Sequence, residues 1–297
     1  MNNLTREQGL QNVLNAEEAS LPRQMDWFLH RRKSVRLGSI LCGLAGLSET
    51  RGVHAYFIEG NAQAMKQHFY VASKLKLASL GQDGGADFSL PGDCFYALLS
   101  DNIEIINAMA NVENPQLIRE RGNPLTGRFE LHMLQLAIRD EHEALQTKIE
   151  KMAKNGRKPW REECAKGEDF YSLLLKRDKA GLERLIQDKH ARIKSVDVRI
   201  EDFMSYLGTL EAKLCWLKGI PVQIESPLVP MELMPIEPLA HYDDEYEFLK
   251  PGWVPLHKGC SERSVVGSSR ANDWIAPPPI CREKWRARRH ESGCIRK

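Results

Sequence analysis

Carboxylates are the residues of this chain whose spacing most invites chemistry. Two runs stand out: Asp140-Glu141 with Glu143, and Asp243-Asp244-Glu245 with Glu247. Paired carboxylates act as acid and base, or hold a cation, when they oppose each other across a pocket. Both runs are local along the chain, which is the pattern of a solvated face or a helix start. His142-Glu143 opens like a zinc-protease motif, but the second histidine is missing. The nine histidines do not cluster with Cys or Asp at metal-ligand spacing. Gly81-Gln-Asp-Gly-Gly-Ala-Asp87 has the composition of a calcium loop without its ligand order or closing Glu, so it predicts a turn. Nucleophile elbows, phosphate loops and dinucleotide fingerprints are lacking. These observations predict no catalytic residues, no metal and no cofactor.

The charge is unevenly placed. The 297 residues carry 42 Lys and Arg against 40 Asp and Glu, a net charge of +2 that does not mark a nucleic-acid binder. From Gly219 to Leu249 there is no Lys or Arg, while Glu225, Glu232, Glu237, Asp243, Asp244, Glu245 and Glu247 all fall there. A one-sign surface repels anions and attracts basic partners, so these seven are the candidate partner-binding residues. From Lys258 onward the sign reverses. Trp285 sits among Arg282, Lys284, Arg286, Arg288 and Arg289, a run read as a solubilising tail rather than a nucleic-acid clamp.

The elements that must position these residues read as helices. A phrase of aromatic or Met, an aliphatic run and Asp recurs: Phe95-Tyr-Ala-Leu-Leu-Ser-Asp101, Met133-Leu-Gln-Leu-Ala-Ile-Arg-Asp140 and Phe170-Tyr-Ser-Leu-Leu-Leu-Lys-Arg-Asp178, with a weaker copy at Tyr56 to Asn61. The period is about forty residues, the mark of a helical repeat. Each unit reads as a helical hairpin in which the Asn or Asp caps the second helix. The fold class expected is therefore all-α, with stacked antiparallel hairpins and an irregular, proline-rich C-terminal part. Helices are predicted over Leu4 to Ala19, Met25 to Leu47, Gly60 to Leu80 and Ser195 to Lys218, the last ended by Gly219. Beyond it, Pro221, Pro227, Pro230, Pro235 and Pro238 forbid a long helix. Val222 to Glu225 reads as extended, Met231 to Met234 as one helical turn and Asp243 to Leu249 as a short helix. Residues 1–250 are expected to form one helical domain, and 251–297 an irregular basic tail.

Seven scattered cysteines without a CxxC pair read as reduced thiols. The opening residues are polar, and the most apolar run, Leu37 to Leu47, is shorter than a membrane span. A cytoplasmic, membrane-free protein is expected.

The segment Leu214-Cys-Trp-Leu-Lys-Gly219-Ile-Pro-Val-Gln-Ile-Glu-Ser226-Pro-Leu-Val-Pro230-Met-Glu-Leu-Met234 resembles the C-terminal signature of the immunity protein 49 family. In that family a helix gives way to Gly-Ile-Pro-Val, alternating acidic and aliphatic residues, a Ser, and a Pro followed by aliphatics. The resemblance covers residues 90–235 and is strongest from Gly219 to Met234. It departs from the family at Pro227-Leu228, where relatives carry an acidic-aromatic pair. It implies a bacterial immunity protein, all-helical and non-enzymatic. Such a protein neutralises a cognate toxin, of the polymorphic or contact-delivered kind that includes type VI secretion effectors, by stoichiometric binding. A cytoplasmic site of action favours a nuclease toxin, whose basic phosphate-binding surface would meet the acidic block. Direct contact with nucleic acid is not expected, and a homodimer is left open. The alternative is a helical-repeat adaptor or scaffold with no toxin partner.

Overall fold

The computed structural model describes residues 5–254 apart from 194, 196 and 198. No β-strand occurs among them, and the described part of the chain up to Lys250 belongs to one all-α unit. The helices in chain order are α1 (Arg6–His30), α2 (Leu37–Phe57), α3 (Ala62–Ala78), α4 (Phe95–Leu99), α5 (Ile103–Ala110) and α6 (Pro115–Glu120). They continue as α7 (Gly127–Ile138), α8 (His142–Asn155), α9 (Trp160–Lys166), α10 (Phe170–Leu175), α11 (Lys179–Asp188) and α12 (Tyr206–Leu217).

The two expected N-terminal helices are redrawn. Thr5 starts α1 with a reciprocal cap: its hydroxyl accepts from the Gln8 N–H at 3.2 Å, and its own N–H donates to Gln8 Oε1 at 3.0 Å. The helix then runs through Pro22 to His30, well beyond Ala19. A proline costs a helix interior about 3 kcal/mol, but Phe28 lies beyond it and is buried, so packing carries the helix across. The chain breaks instead at residues 31–36, inside what the sequence reads as one helix. Gly38 lets the new helix lie flush against the Gly81–Asp87 turn: a Cβ there would lie 2.2 Å from the Gly85 backbone. That turn is a turn as expected, with Gly81 and Gly84 at positive φ.

Helix α2 is the centre of the N-terminal half. It packs against α1 and α3, and Leu44, Leu47 and Val53 have no exposed surface. Gly52 admits the Phe69 ring of α3, which a Cβ would meet at 2.4 Å. From Phe69 the aromatic core passes to Tyr96 at 4.8 Å, Phe95 and Tyr206.

The recurring phrase corresponds to a recurring left-handed turn, which falls on the expected Asp at 101 and 140 and one residue before the expected cap at Asn61 and Asp178. Gly60, Asp101, Asp140, Arg177 and Gly219 all have φ between +53° and +67°. After the last three, the next N–H bonds back five residues, Glu141 to Leu136, Asp178 to Leu173 and Ile220 to Cys215, closing the helix as a left-handed C-terminal residue does. Asn61 and Asp178 do cap, accepting from the Ala64 and Gly181 N–H groups at 2.9 and 3.0 Å. Asp101 and Asp140 do not. They occupy the left-handed position that Asp tolerates better than most residues. Asn102 caps α5 in place of Asp101. The units otherwise differ in size, α2 having 21 residues and α4 five.

The helix expected from Ser195 to Lys218 is confined to α12. Asp197 captures both the backbone N–H and the guanidinium of Arg199, and these local bonds displace helix upstream. Ser205 caps α12 through the Gly208 N–H at 3.2 Å and donates to the His190 carbonyl at 2.8 Å.

Candidate functional site

After α12 the chain crosses the helical body as a non-helical strap, residues 219–250. It begins extended, with Val222 and Ile224 buried and Gln223 and Glu225 outward. It pairs with no strand. Glu183 and Gln187, one turn apart on α11, accept from the Gln223 and Glu225 N–H groups at 2.8 Å each, which supplies the partners a sheet would give. Met231–Leu233 makes the expected single turn, as a 3-10 helix. The predicted helix at Asp243–Leu249 shrinks to a 3-10 turn at Glu247–Leu249, because Glu245 sits at φ +60° and interrupts it.

A buried ionic knot holds the middle of the strap. Asp101 is fully buried. Its carboxylate meets Lys213 of α12 at 2.5 Å and Lys66 of α3 at 2.9 Å. Lys213, equally buried, also donates to the strap carbonyls of Leu233, Met234 and Pro235 at 2.6, 3.3 and 3.1 Å. Lys66 donates to the Glu237 carbonyl at 2.8 Å, and the Glu237 N–H donates to Asp101 at 3.3 Å. Burial lowers the Lys213 pKa, against the pull of Asp101. Tyr242 completes the fixation by donating to the Ser100 carbonyl at 2.6 Å.

The seven candidate carboxylates then divide into two kinds. Glu232, Asp244 and Glu245 are tied to the helices. Glu232 accepts from the Tyr56 phenol. Asp244 accepts from Tyr70 at 2.8 Å and pairs with Lys74. Glu245 pairs with Arg51 at 2.8 Å, beside Glu18 at 2.9 Å. Burial and the neighbouring carboxylate both raise the pKa of Tyr56 and of Tyr70, so the two phenols stay protonated and donate. Burial alone would lower the Arg51 pKa, but Glu18 and Glu245 outweigh it and raise it.

The remaining four face outward. Asp243 folds back on the Glu245 N–H at 3.1 Å, while its backbone is gripped on both sides by the Gln67 amide. Glu247 pairs with Lys250 on the surface. Glu225 and Glu237 make no ion pair among the described residues, and all four side chains belong to exposed residues. The structure thus brings the sequence-predicted residues onto one strap, with Asp244 and Glu245 paired to helix cations, Glu232 bonded to Tyr56 through one oxygen only, and the other four outward. Sequence reading missed Asp101, Lys66, Lys213, Tyr56 and Tyr70, which hold the strap. The available signal was Lys213 itself, a charge on the apolar side of a helix.

Concavities open on this unit. One, of about 650 Å³, lies between the end of α2 and the strap, lined by Tyr56, Phe57, Val229, Pro230, Met231 and Glu232 among others. Another, of about 480 Å³, lies among α8, α9 and α10, with Lys154, Lys166 and Lys176 on its rim. Neither brings opposed carboxylates together. The Asp140 run is a surface feature, Asp140 meeting Lys218 at 2.9 Å and Glu141 meeting Arg139. Among the described residues no group of three His, Cys, Asp or Glu is placed to hold a metal ion. No described helix is long and apolar enough to cross a membrane. Cys94 and Cys215 are buried, and burial pushes the Cys94 thiol up to about 12. The Arg282–Arg289 run, with Trp285, lies outside the described residues.

The chain matches no family model, no curated protein and no solved structure.

Proposed function

We propose that this protein is an immunity protein that binds a basic antibacterial toxin, most simply a nuclease, in the cytoplasm and neutralises it stoichiometrically. The observation that carries this reading is the strap: a cation-free segment up to Leu249, whose backbone is hydrogen-bonded to the buried Lys66–Asp101–Lys213 cluster, with Glu225, Glu237, Asp243 and Glu247 turned outward. A carboxylate array fixed before binding loses little order on association, and its field speeds encounter with a cationic surface. The resemblance of Gly219 to Met234 to the immunity protein 49 signature supports the same reading.

The test is capture of partners from the native cell with the tagged protein, followed by mass spectrometry. A single stoichiometric toxin-domain partner sustains the proposal. Many weak partners would replace it with an adaptor. The concavity lined by Lys154, Lys166 and Lys176 against a single carboxylate, Glu150, is the observation favouring that second reading, since it gives the unit a second, net-positive surface.

A further inference from the structure

The cleft between α2 and the strap has a character that the acidic block alone does not. Its walls are aromatic and aliphatic: Tyr56 and Phe57 from α2, Val229, Pro230 and Met231 from the strap. Pro230 brings no backbone N–H to the wall. Tyr56 and Phe57 stand edge to face, their centroids 4.7 Å apart and their planes at 78°. Aromatic residues and Met are enriched where proteins bind proteins, and about 650 Å³ is ample for one or two side chains.

The only charged lining residue is Glu232, and no Lys or Arg lines the cleft. Glu232 belongs to the exposed surface, and the Tyr56 phenol engages only its Oε1. An apolar pocket edged by one carboxylate and aromatic rings suits a cation carried on an aliphatic stem. The apolar walls cover the stem and the carboxylate pairs with the charge.

We infer that this cleft is the anchor point of the interface. It would take a partner segment in which an apolar side chain, seated against Phe57, Val229 and Met231, is followed by an Arg or Lys that meets Glu232. The inference rests on the proposed binding of a basic toxin and locates where on the strap that partner grips.

The experiment labels the methionine methyl groups with carbon-13 and assigns Met231 from a Met231→Leu variant. The full chain is titrated with the acetylated, amidated peptides Leu-Arg-Leu-Arg and Leu-Glu-Leu-Glu. The Met231 methyl is expected to shift saturably with the Arg peptide, with a Kd on the order of 1 mM or tighter. The Glu peptide should leave it in place, and Glu232→Gln should weaken the Arg peptide by about fivefold or more. No shift at Met231, or equal shifts with both peptides, overturns the inference. A Met231→Asp variant with unchanged melting is then used to capture partners. If it retains the full toxin complex, the cleft is not the anchor although neutralisation stands. If wild type captures no toxin at all, the proposed function fails, and the anchor assignment falls with it.

Discussion

Asp101 combines two demands that few residues meet together. Its backbone is left-handed, at φ +58°, and its carboxylate is fully buried between two ammonium groups. Removing one partner of a buried ion pair leaves charge uncompensated, at a cost of about 3–5 kcal/mol. Asp101→Ala is therefore expected to lower unfolding free energy by about that amount, measured by urea denaturation. A loss under about 1 kcal/mol would mean that Lys66 and Lys213 find water when the carboxylate goes. His132 makes a pH prediction. Burial first, then Lys148, Arg121 and Arg139, depress its pKa from 6.5 to about 4, while Glu141 opposes them weakly. A group whose folded pKa is depressed binds more protons when unfolded, so its contribution is intact above pH 6.5 and declines as pH falls towards about 4. His132→Gln is expected to narrow the drop in melting temperature between neutral and mildly acid pH. An unchanged drop would place the titration elsewhere.

Among the elements, α2 and the strap do the most to shape the surface. α2 packs closely enough on α3 that Gly52 has no room for a methyl group, the contacting atoms being those of the buried Phe69 ring. Overpacking of this kind typically costs about 1–3 kcal/mol. Gly52→Ala should destabilise in that range despite the better helix propensity of alanine, whereas Gly9→Ala, with nothing within 4 Å, should not. Thermal melts of the pair separate packing from propensity, and equal behaviour would refute the close approach. The strap has no hydrogen-bonded ladder, so its shape depends on side chains reaching from helices: Glu183 and Gln187 on α11, Lys213 on α12, Lys66 and Gln67 on α3.

For the whole molecule, the division of the carboxylates decides which substitutions test binding and which test folding. Reversing Asp244 or Glu245 would oppose Lys74 or Arg51 and disturb the body. Reversing Glu225, Glu237, Asp243 and Glu247 to Lys touches the outward set. With the captured toxin, that variant is expected to associate at least about tenfold more slowly at low salt and to lose most of the wild-type salt dependence. Stopped-flow association at two ionic strengths reads both effects. An unchanged rate would remove the strap from the interface while leaving the fold intact.

The all-α class was legible because apolar residues three and four apart, glycine after a helix and proline beyond it act through local backbone geometry. Gly219 ending α12 and the 3-10 turn at Met231 are of this kind. The acidic block was legible too, since charge is written directly in the sequence. The forty-residue phrase located the turns but not the duty of each Asp, because capping and left-handed closure draw on the same residue type one position apart. Tertiary structure alone decided that α1 passes through Pro22 and that helix gives way between Ser195 and Ser205. The first rests on the burial of Phe28, and the second on the Asp197–Arg199 cluster, local in sequence but held from a distance where its guanidinium meets Glu49 of α2 at 2.6 Å. It also decided which carboxylates are spoken for. That depends on Arg51, Tyr56, Tyr70 and Lys74, residues 170 to 194 positions away that folding alone brings to the strap.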